Sequence, residues 1–413
     1  MPRSPQRRKL PRKELTDHET DAQQLPARQV HLEVSAPVLS PIFCKLFGFH
    51  RNVYKPVEEP FLLVSNHTDG ADPGFVLSDV RAYFRFVSSD HVMENPVIRN
   101  VFRFIGRPLI NYQKDSSDVI YNNMLETLKR GINVQLMAEA RVTDTGETGY
   151  ISRRNATLVK EAGCGLITHR ITGGYLTIPR WADERRKGPV YGEVVHHYTK
   201  AEIAQMSEDE VYEAMCRDLY VNAYEENRVR KQKYIAENPA QSAEYVLYGC
   251  PKCGTVGKLH TKHDKLWCDC CDFEATVDDY GFWHSKDMDW DTIPEWDKYQ
   301  KELIYQLIDN ATDPDEVLVE HDEQLVSVMD EKGDVHLADE HGVIRLYKDS
   351  IEVLWDGRST RVKGTDVKKI SYSSKGTVGL VTDDVNLRIK TKEPRAANIY
   401  LVGVRYMKGH KTI

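Results

Sequence analysis

Long apolar runs are missing from this chain of 413 residues. None approaches the ~18 residues that cross a bilayer as a helix, and the N-terminus lacks the apolar core of a signal peptide. Both absences lead to the expectation of a cytoplasmic protein whose membrane contact is peripheral, on the cytoplasmic face. A positive excess is missing too. The net charge of −7 offers no general attraction for nucleic acid, and none is expected as a partner. No segment repeats at a fixed period, which sets aside solenoids and propellers. Cysteine is scarce outside one stretch, and without a secretion signal a disulfide scaffold is not expected. What remains is an ordinary globular balance of 40% apolar and 29% charged residues, long enough for two or three domains.

The most informative segment is Asn66-His67-Thr68-Asp69-Gly70-Ala71-Asp72. It follows Phe61-Leu62-Leu63-Val64, an apolar run that reads as a short buried strand. A histidine at a strand exit with a carboxylate five residues on makes a workable base and orienter. Asp72 accepts from one ring nitrogen and fixes the tautomer, while the other nitrogen takes a proton from a hydroxyl. The bland alternative is an Asp-rich turn in which His67 is only a polar loop residue.

A second strand exit lies further on. Ile120, Met124, Leu125 and Leu128 form a helical stripe ended by Gly131, and Val134 to Met137 read as a strand with Glu139 and Arg141 at its exit. Open parallel sheets place ligands at such carboxyl ends.

These two blocks resemble the Asn-His-x4-Asp and Phe-Pro-Glu-Gly-x-Arg signatures of the glycerolipid acyltransferases, the family of glycerol-3-phosphate and lysophosphatidate acyltransferases. The resemblance covers roughly residues 38 to 200. It implies an α/β fold, a mixed, mostly parallel sheet flanked by helices. It makes His67 and Asp72 the catalytic pair. Asn66, Glu139, Arg141, Lys114 and Arg107 are the substrate-binding set it implies, with Arg141 and the two other cations holding an acceptor phosphate. The chain departs from the pattern in several places. Ala138 and Ala140 stand where proline and glycine are usual, Asn111 where arginine is expected after Gly106, and Thr168 where the block Gly165 to Ile171 usually has proline.

Five of the eight cysteines fall between 250 and 271. Cys250-Pro251-Lys252-Cys253 and Cys268-Asp269-Cys270-Cys271 are two knuckles at the spacing of a zinc ribbon, with Cys250, Cys253, Cys268 and Cys271 as ligands of a structural zinc. Tyr248, Leu266, Trp267 and Phe273 are expected to pack around it. Cys270 is left over. A closed site of four thiolates gives no open coordination position for catalysis, and no organic cofactor is expected.

The remaining elements organise the chain. Residues 1–30 form a basic, disordered tail whose Arg3, Arg7, Arg8, Lys9, Arg12 and Lys13 suit an anionic membrane surface. Residues 31–205 are the acyltransferase domain. Its leading segment Val38 to Phe49 reads equally as an element of the bilayer interface or of the core. Residues 206–243 read as a linker helix opened by a Ser207–Glu210 capping box, 244–283 as the ribbon, and 284–316 as a second linker. From 317 to 413, short alternating segments, an Asp356-Gly357 hairpin turn and a closing helix from Ala396 to Met407 form a small antiparallel β domain. In architecture alone it resembles a pleckstrin-homology or GRAM-like domain.

The resemblance implies transfer of an acyl group from acyl-CoA or acyl-carrier protein to a glycerolipid hydroxyl in phospholipid synthesis, first of all that of lysophosphatidate. Glycerol-3-phosphate or another lysolipid is the next choice of acceptor. The alternative is a non-catalytic lipid-binding scaffold on a degraded acyltransferase domain, favoured by Ala138, Ala140 and Thr168. It is opposed by the presence of both His67 and Asp72, since binding alone needs no base and no orienter.

Overall fold

In the computed structural model, the described residues are 39–56, 60–89, 92–93, 100, 108–112, 116–139, 141–330, 335–373, 376–392 and 397–411. The basic tail, Arg107, Lys114 and Ala140 lie outside them. The chain divides into two compact units. The first comprises Met1–Thr143, Thr148–Gly174 and Pro189–Ala223, and the second Asp144–Glu147, Tyr175–Gly188 and Tyr224–Ile413.

The first unit runs α1 (Ser40–Phe47), β1 (Phe49–His50), β2 (Phe61–Ser65), α2 (Asp72–Asp79), β3 (Phe84–Ser89) and β4 (Leu109–Asn111). It continues with α3 (Ser117–Lys129), β5 (Asn133–Met137), α4 (Arg154–Ala162), β6 (Gly165–Thr172), β7 (Val190–Tyr198), α5 (Lys200–Gln205) and α6 (Glu208–Leu219). The strands order as β1-β7-β6-β2-β5-β3-β4. Neighbours are parallel except β6 and β7. The expected mixed, mostly parallel sheet is therefore present.

β2 sits at its centre with every residue buried, as a strand covered on both faces must be. Strand alternation divides its side chains. Leu62 and Val64 join the core formed with α3, α4 and α6, while Phe61 and Leu63 join that formed with α1 and α2. Each such side chain contributes about 1.5–3 kcal/mol by leaving water. The helix α3 is capped by Ser116, buries Ile120, Met124 and Leu128, and is followed by Gly131 at φ 79°, the left-handed conformation glycine adopts without strain.

One expectation is corrected here. The Ser207–Glu210 capping box is present, but α6 is not a free spacer. Val211, Ala214, Met215 and Leu219 lie in the same core as Leu62 and Val64, because an apolar stripe of that width needs a surface to cover. For α1, one side joins the core. Phe43 and Phe47 pack on Phe75, while Ile42 and Leu46 are 64% and 74% exposed.

In the second unit, β8 (Leu259–Lys262), β9 (Lys265–Cys268), β10 (Glu274–Val277) and β11 (Trp283–His284) form a small antiparallel sheet in the order β11-β10-β9-β8. Tyr248, Leu266 and Phe273 are buried as expected, but Trp267 alternates outward on β9 and stacks on His260. After α7 (Ile293–Asn310) come β12 (Val319–Met329), β13 (Val335–Leu346), β14 (Ser350–Trp355) and β15 (Arg358–Lys363). Then follow β16 (Lys369–Ser373), β17 (Thr377–Val381), β18 (Asn386–Lys390) and α8 (Asn398–Met407). These strands form an antiparallel sheet ordered β15-β14-β13-β12-β18-β17-β16. Asp356 and Gly357 both have positive φ, the primed turn that joins β14 to β15.

Ile399, Tyr400, Val402 and Val404 of α8 close this sheet's core. The same core holds Ile304, Tyr305 and Ile308 of α7, so the stretch expected to be a linker from 284 to 316 contains a structural helix.

Candidate active site and metal centre

His67 leaves β2 where the sheet's hydrogen-bonding ends, and α2 starts five residues later with Asp72 in its first turn. The carboxylate of Asp72 is wholly buried and lies 2.8 Å from Nδ1 of His67. It also accepts from the Thr68 N–H at 2.5 Å, the Asp69 N–H at 2.9 Å and the Thr68 hydroxyl at 2.8 Å. Three donors other than the imidazole thus hold one carboxylate, and the orientation of the ring follows from it. A carboxylate at Asp72 accepts from Nδ1–H, which leaves Nε2 as the basic nitrogen. The His67 side chain is 18% exposed, and Nε2 has no partner among the described residues. An imidazole held in this way can accept a proton at Nε2.

The backbone of His67 is held at both ends. Its N–H donates to Oε1 of Glu139 at 2.7 Å, and its carbonyl accepts from the Thr143 N–H at 3.0 Å. The second oxygen of Glu139 accepts from the Gly149 N–H at 2.6 Å. Glu139 is 7% exposed and committed to two backbone donors, so it fixes the loop that carries His67. The amide of Asn66 donates to the Ile171 carbonyl at 2.9 Å and accepts from the Ile171 N–H at 2.8 Å, locking the exit of β2 to β6. Both ends of the amide are engaged and the residue is 2% exposed, so Asn66 ties β2 to β6 and offers a substrate little surface. Arg141 lies half-buried in the same loop, between Glu139 and Thr143. Lys114 and Arg107 fall outside the described residues.

The departures at two positions have local reasons. The Ala138 N–H donates to the Ser65 carbonyl at 2.8 Å, extending the β2–β5 pairing by a bond that proline lacks. The Thr168 hydroxyl donates to Oδ2 of the buried Asp218 at 3.0 Å, where β6 bulges against β7.

Burial pushes Glu139 up from the ordinary carboxylate range to about 7, against the lowering pull of its two N–H donors and of His67. A carboxyl raised in this way holds its proton more tightly folded than unfolded. Its contribution to stability is full below the unfolded value of about 4.5 and is lost as pH rises toward 7. Glu139→Gln does not titrate, so urea unfolding of the variant should lose about 2 kcal/mol less than wild type between about pH 5 and 7. Parallel stability curves would show that Glu139 is ionised throughout.

The candidate metal centre is built by two turns, one inside the Gly249–Val256 bridge and one between β9 and β10. The ligand atoms of Cys250, Cys253, Cys268 and Cys271 all lie within 4.8 Å of one another. Cys250 and Cys271 are 3.7 Å apart at sulfur, and Cys253 and Cys268 are 3.8 Å apart. A tetrahedral ion with bonds to sulfur of about 2.3 Å needs sulfur–sulfur edges of about 3.8 Å, so the set fits one. All of these thiols are free, and Cys270 is exposed beside the group. Helix α7 supports the first knuckle. Trp296 Nε1 donates to the Gly249 carbonyl, the Tyr299 hydroxyl to that of Cys250, and Gln300 accepts from the Tyr248 N–H.

Residues 47–172, the segment that carries His67 and Asp72, match the acyltransferase family model, in keeping with the resemblance to the glycerolipid acyltransferases. Among solved structures, the chain is similar to the 1-acyl-sn-glycerophosphate acyltransferase of Thermotoga maritima. The identity is 17% and the TM-score 0.40, over 48% of this chain and 82% of that one. It is also similar to inner membrane complex sub-compartment protein 3 of Toxoplasma gondii, at 11% identity and a TM-score of 0.19, over 27% of this chain and 88% of that one. No curated protein sequence matches the chain.

Proposed function

We propose that the first unit transfers an acyl group from acyl-CoA or acyl-carrier protein to the free hydroxyl of lysophosphatidate. One observation carries this reading: a wholly buried carboxylate with three other donors holds Nδ1 of His67, and Nε2 is left without a partner among the described residues. Nε2 removes the hydroxyl proton as the oxygen attacks the thioester carbonyl carbon. The tetrahedral adduct collapses with cleavage of the carbon–sulfur bond, and the departing thiolate recovers the proton from Nε2. No acyl-enzyme is needed, because the acceptor itself is the nucleophile. Arg141 supplies the cation for the acceptor phosphate.

The scaffold alternative accounts for the loop contacts of Asp72 but gives its contact with Nδ1 of His67 no purpose. The four thiolates would hold zinc, closed to substrate and therefore structural. The exposed Ile42 and Leu46 of α1 suit peripheral contact with an anionic membrane surface, where the acceptor resides. The seven-stranded sheet closed by α8 suits the pleckstrin-homology-like or GRAM-like reading in architecture alone.

The test is incubation of the purified chain with labelled acyl-CoA or acyl-carrier protein and a panel of lysolipids and glycerol-3-phosphate, with products identified by mass. Phosphatidate should form from lysophosphatidate. Absence of any acylated product would remove the enzymatic reading. In the same assay Arg141→Ala should raise KM for the phosphate-bearing acceptor by about tenfold or more, the loss of a charge-assisted contact, and leave KM for the donor nearly unchanged. A shift confined to the donor would move Arg141 to the thioester side.

A further inference from the structure

A second imidazole–carboxylate pair lies behind the first. Ser65 ends β2, two residues before His67, and its hydroxyl lies 3.3 Å from Nδ1 of His169. The other ring nitrogen of His169 lies 2.8 Å from Oδ2 of Asp79. All three residues have 0% exposure. The order of hydroxyl, imidazole and carboxylate is that of a nucleophile triad, but complete burial denies any substrate an approach. Its role must be geometric.

Ser65 and His169 are paired directly across β2 and β6, and Asp79 is the last residue of the helix whose first residue is Asp72. Seven residues apart, the two aspartates share one face of α2. The helix is therefore tied to the sheet at both ends by a histidine, through a partly exposed pair at its start and a sealed pair at its end. The sealed pair is built with care for space. Oδ1 of Asp79 accepts from the Asn52 N–H at 2.7 Å, and a Cβ on Gly192 of β7 would lie 2.1 Å from Oδ2. Arg51 and the thiol of Cys44 are the other charged or titratable groups near Asp79. Burial raises the pKa of Asp79, and the bond to His169 opposes that rise.

We propose that Asp79 and His169, acting through Ser65, are positioning residues that set the register of Asp72 and His67 for proton transfer. The proposal rests on the reading of His67 as the base. Asp79→Asn keeps the volume and the Asn52 contact but removes the charge, so the imidazole of His169 must reverse its tautomer. We expect kcat to fall about ten- to hundredfold, the scale of a small misplacement, with KM for donor and acceptor changed less than about twofold. The titration of His67, followed by imidazole NMR, should move as well, which a purely structural role would not cause. Gly192→Ala, which displaces the Asp79 carboxylate without removing it, should reproduce both effects if Asp79→Asn does not fold. An unchanged kcat per folded molecule, with a His67 titration that superimposes on wild type, would overturn the proposal. If wild type itself transfers no acyl group, the base assignment fails, and the NMR titration alone decides whether the two pairs are coupled.

Discussion

Replacing His67 with alanine should lower kcat for acyl transfer by about 10²- to 10⁴-fold, the range of a positioned general base. The fold should survive. The side chain is partly exposed and makes one hydrogen bond, and Asp72 keeps its bonds to the Thr68 N–H, the Thr68 hydroxyl and the Asp69 N–H when the imidazole is gone. Steady-state rates with product identification, paired with circular dichroism, separate the two effects. Activity within a few-fold of wild type would remove His67 from the mechanism. Asp72→Asn is a less clean experiment. Its amide would face at least one of the donors that now meet a carboxylate, so a loss of activity would mix a wrong tautomer with a disturbed loop.

The second large effect lies at the four cysteines. The purified protein should carry one zinc per chain by elemental analysis, and Cys250→Ser should reduce that to none. A structural zinc stabilises its fold by about 10–16 kcal/mol, so the ribbon should unfold when the ion is lost. The damage should extend into α7. Trp296 is fully buried, donates to the Gly249 carbonyl beside Cys250, and packs edge-on against Phe273 and Trp283. Its fluorescence should therefore report the loss of metal. Cys270→Ser should retain full zinc, because Cys270 stands outside the group. A protein without zinc, or a Cys268→Ser variant that keeps its stoichiometry, would defeat the assignment.

The elements legible in the sequence were those whose cause is local. An apolar run followed by Asn66-His67 marked β2, a helical stripe with Gly131 marked α3, and Asp356-Gly357 marked the β14–β15 hairpin. The cysteine spacing brought out the metal group in the same way. What escaped depends on partners far away in the chain. Asn66 was read as a ligand contact because an amide aimed at Ile171, 105 residues away, looks the same in sequence as one aimed at a substrate. His169 lay inside a strand-like block, with nothing to indicate that Asp79, 90 residues earlier, would meet it. The acidic, Trp-rich stretch holding α7 resembled a linker because its inward residues serve two cores that form only once the ribbon and the large antiparallel sheet are in place. Trp267 reads as packing around the metal because it neighbours Leu266 and Cys268, but the alternation of its own strand turns it outward.

The chain leaves the first unit at Asp144 and again at Tyr175, contributes Asp144–Glu147 and Tyr175–Gly188 to the second, and returns each time. In terms of gene architecture, the two bodies are interleaved rather than strung in series. A stop codon after Ala223 would strand both excursions without most of the body they belong to. Any transplant of this active site into another protein has to carry both excursions or redesign them.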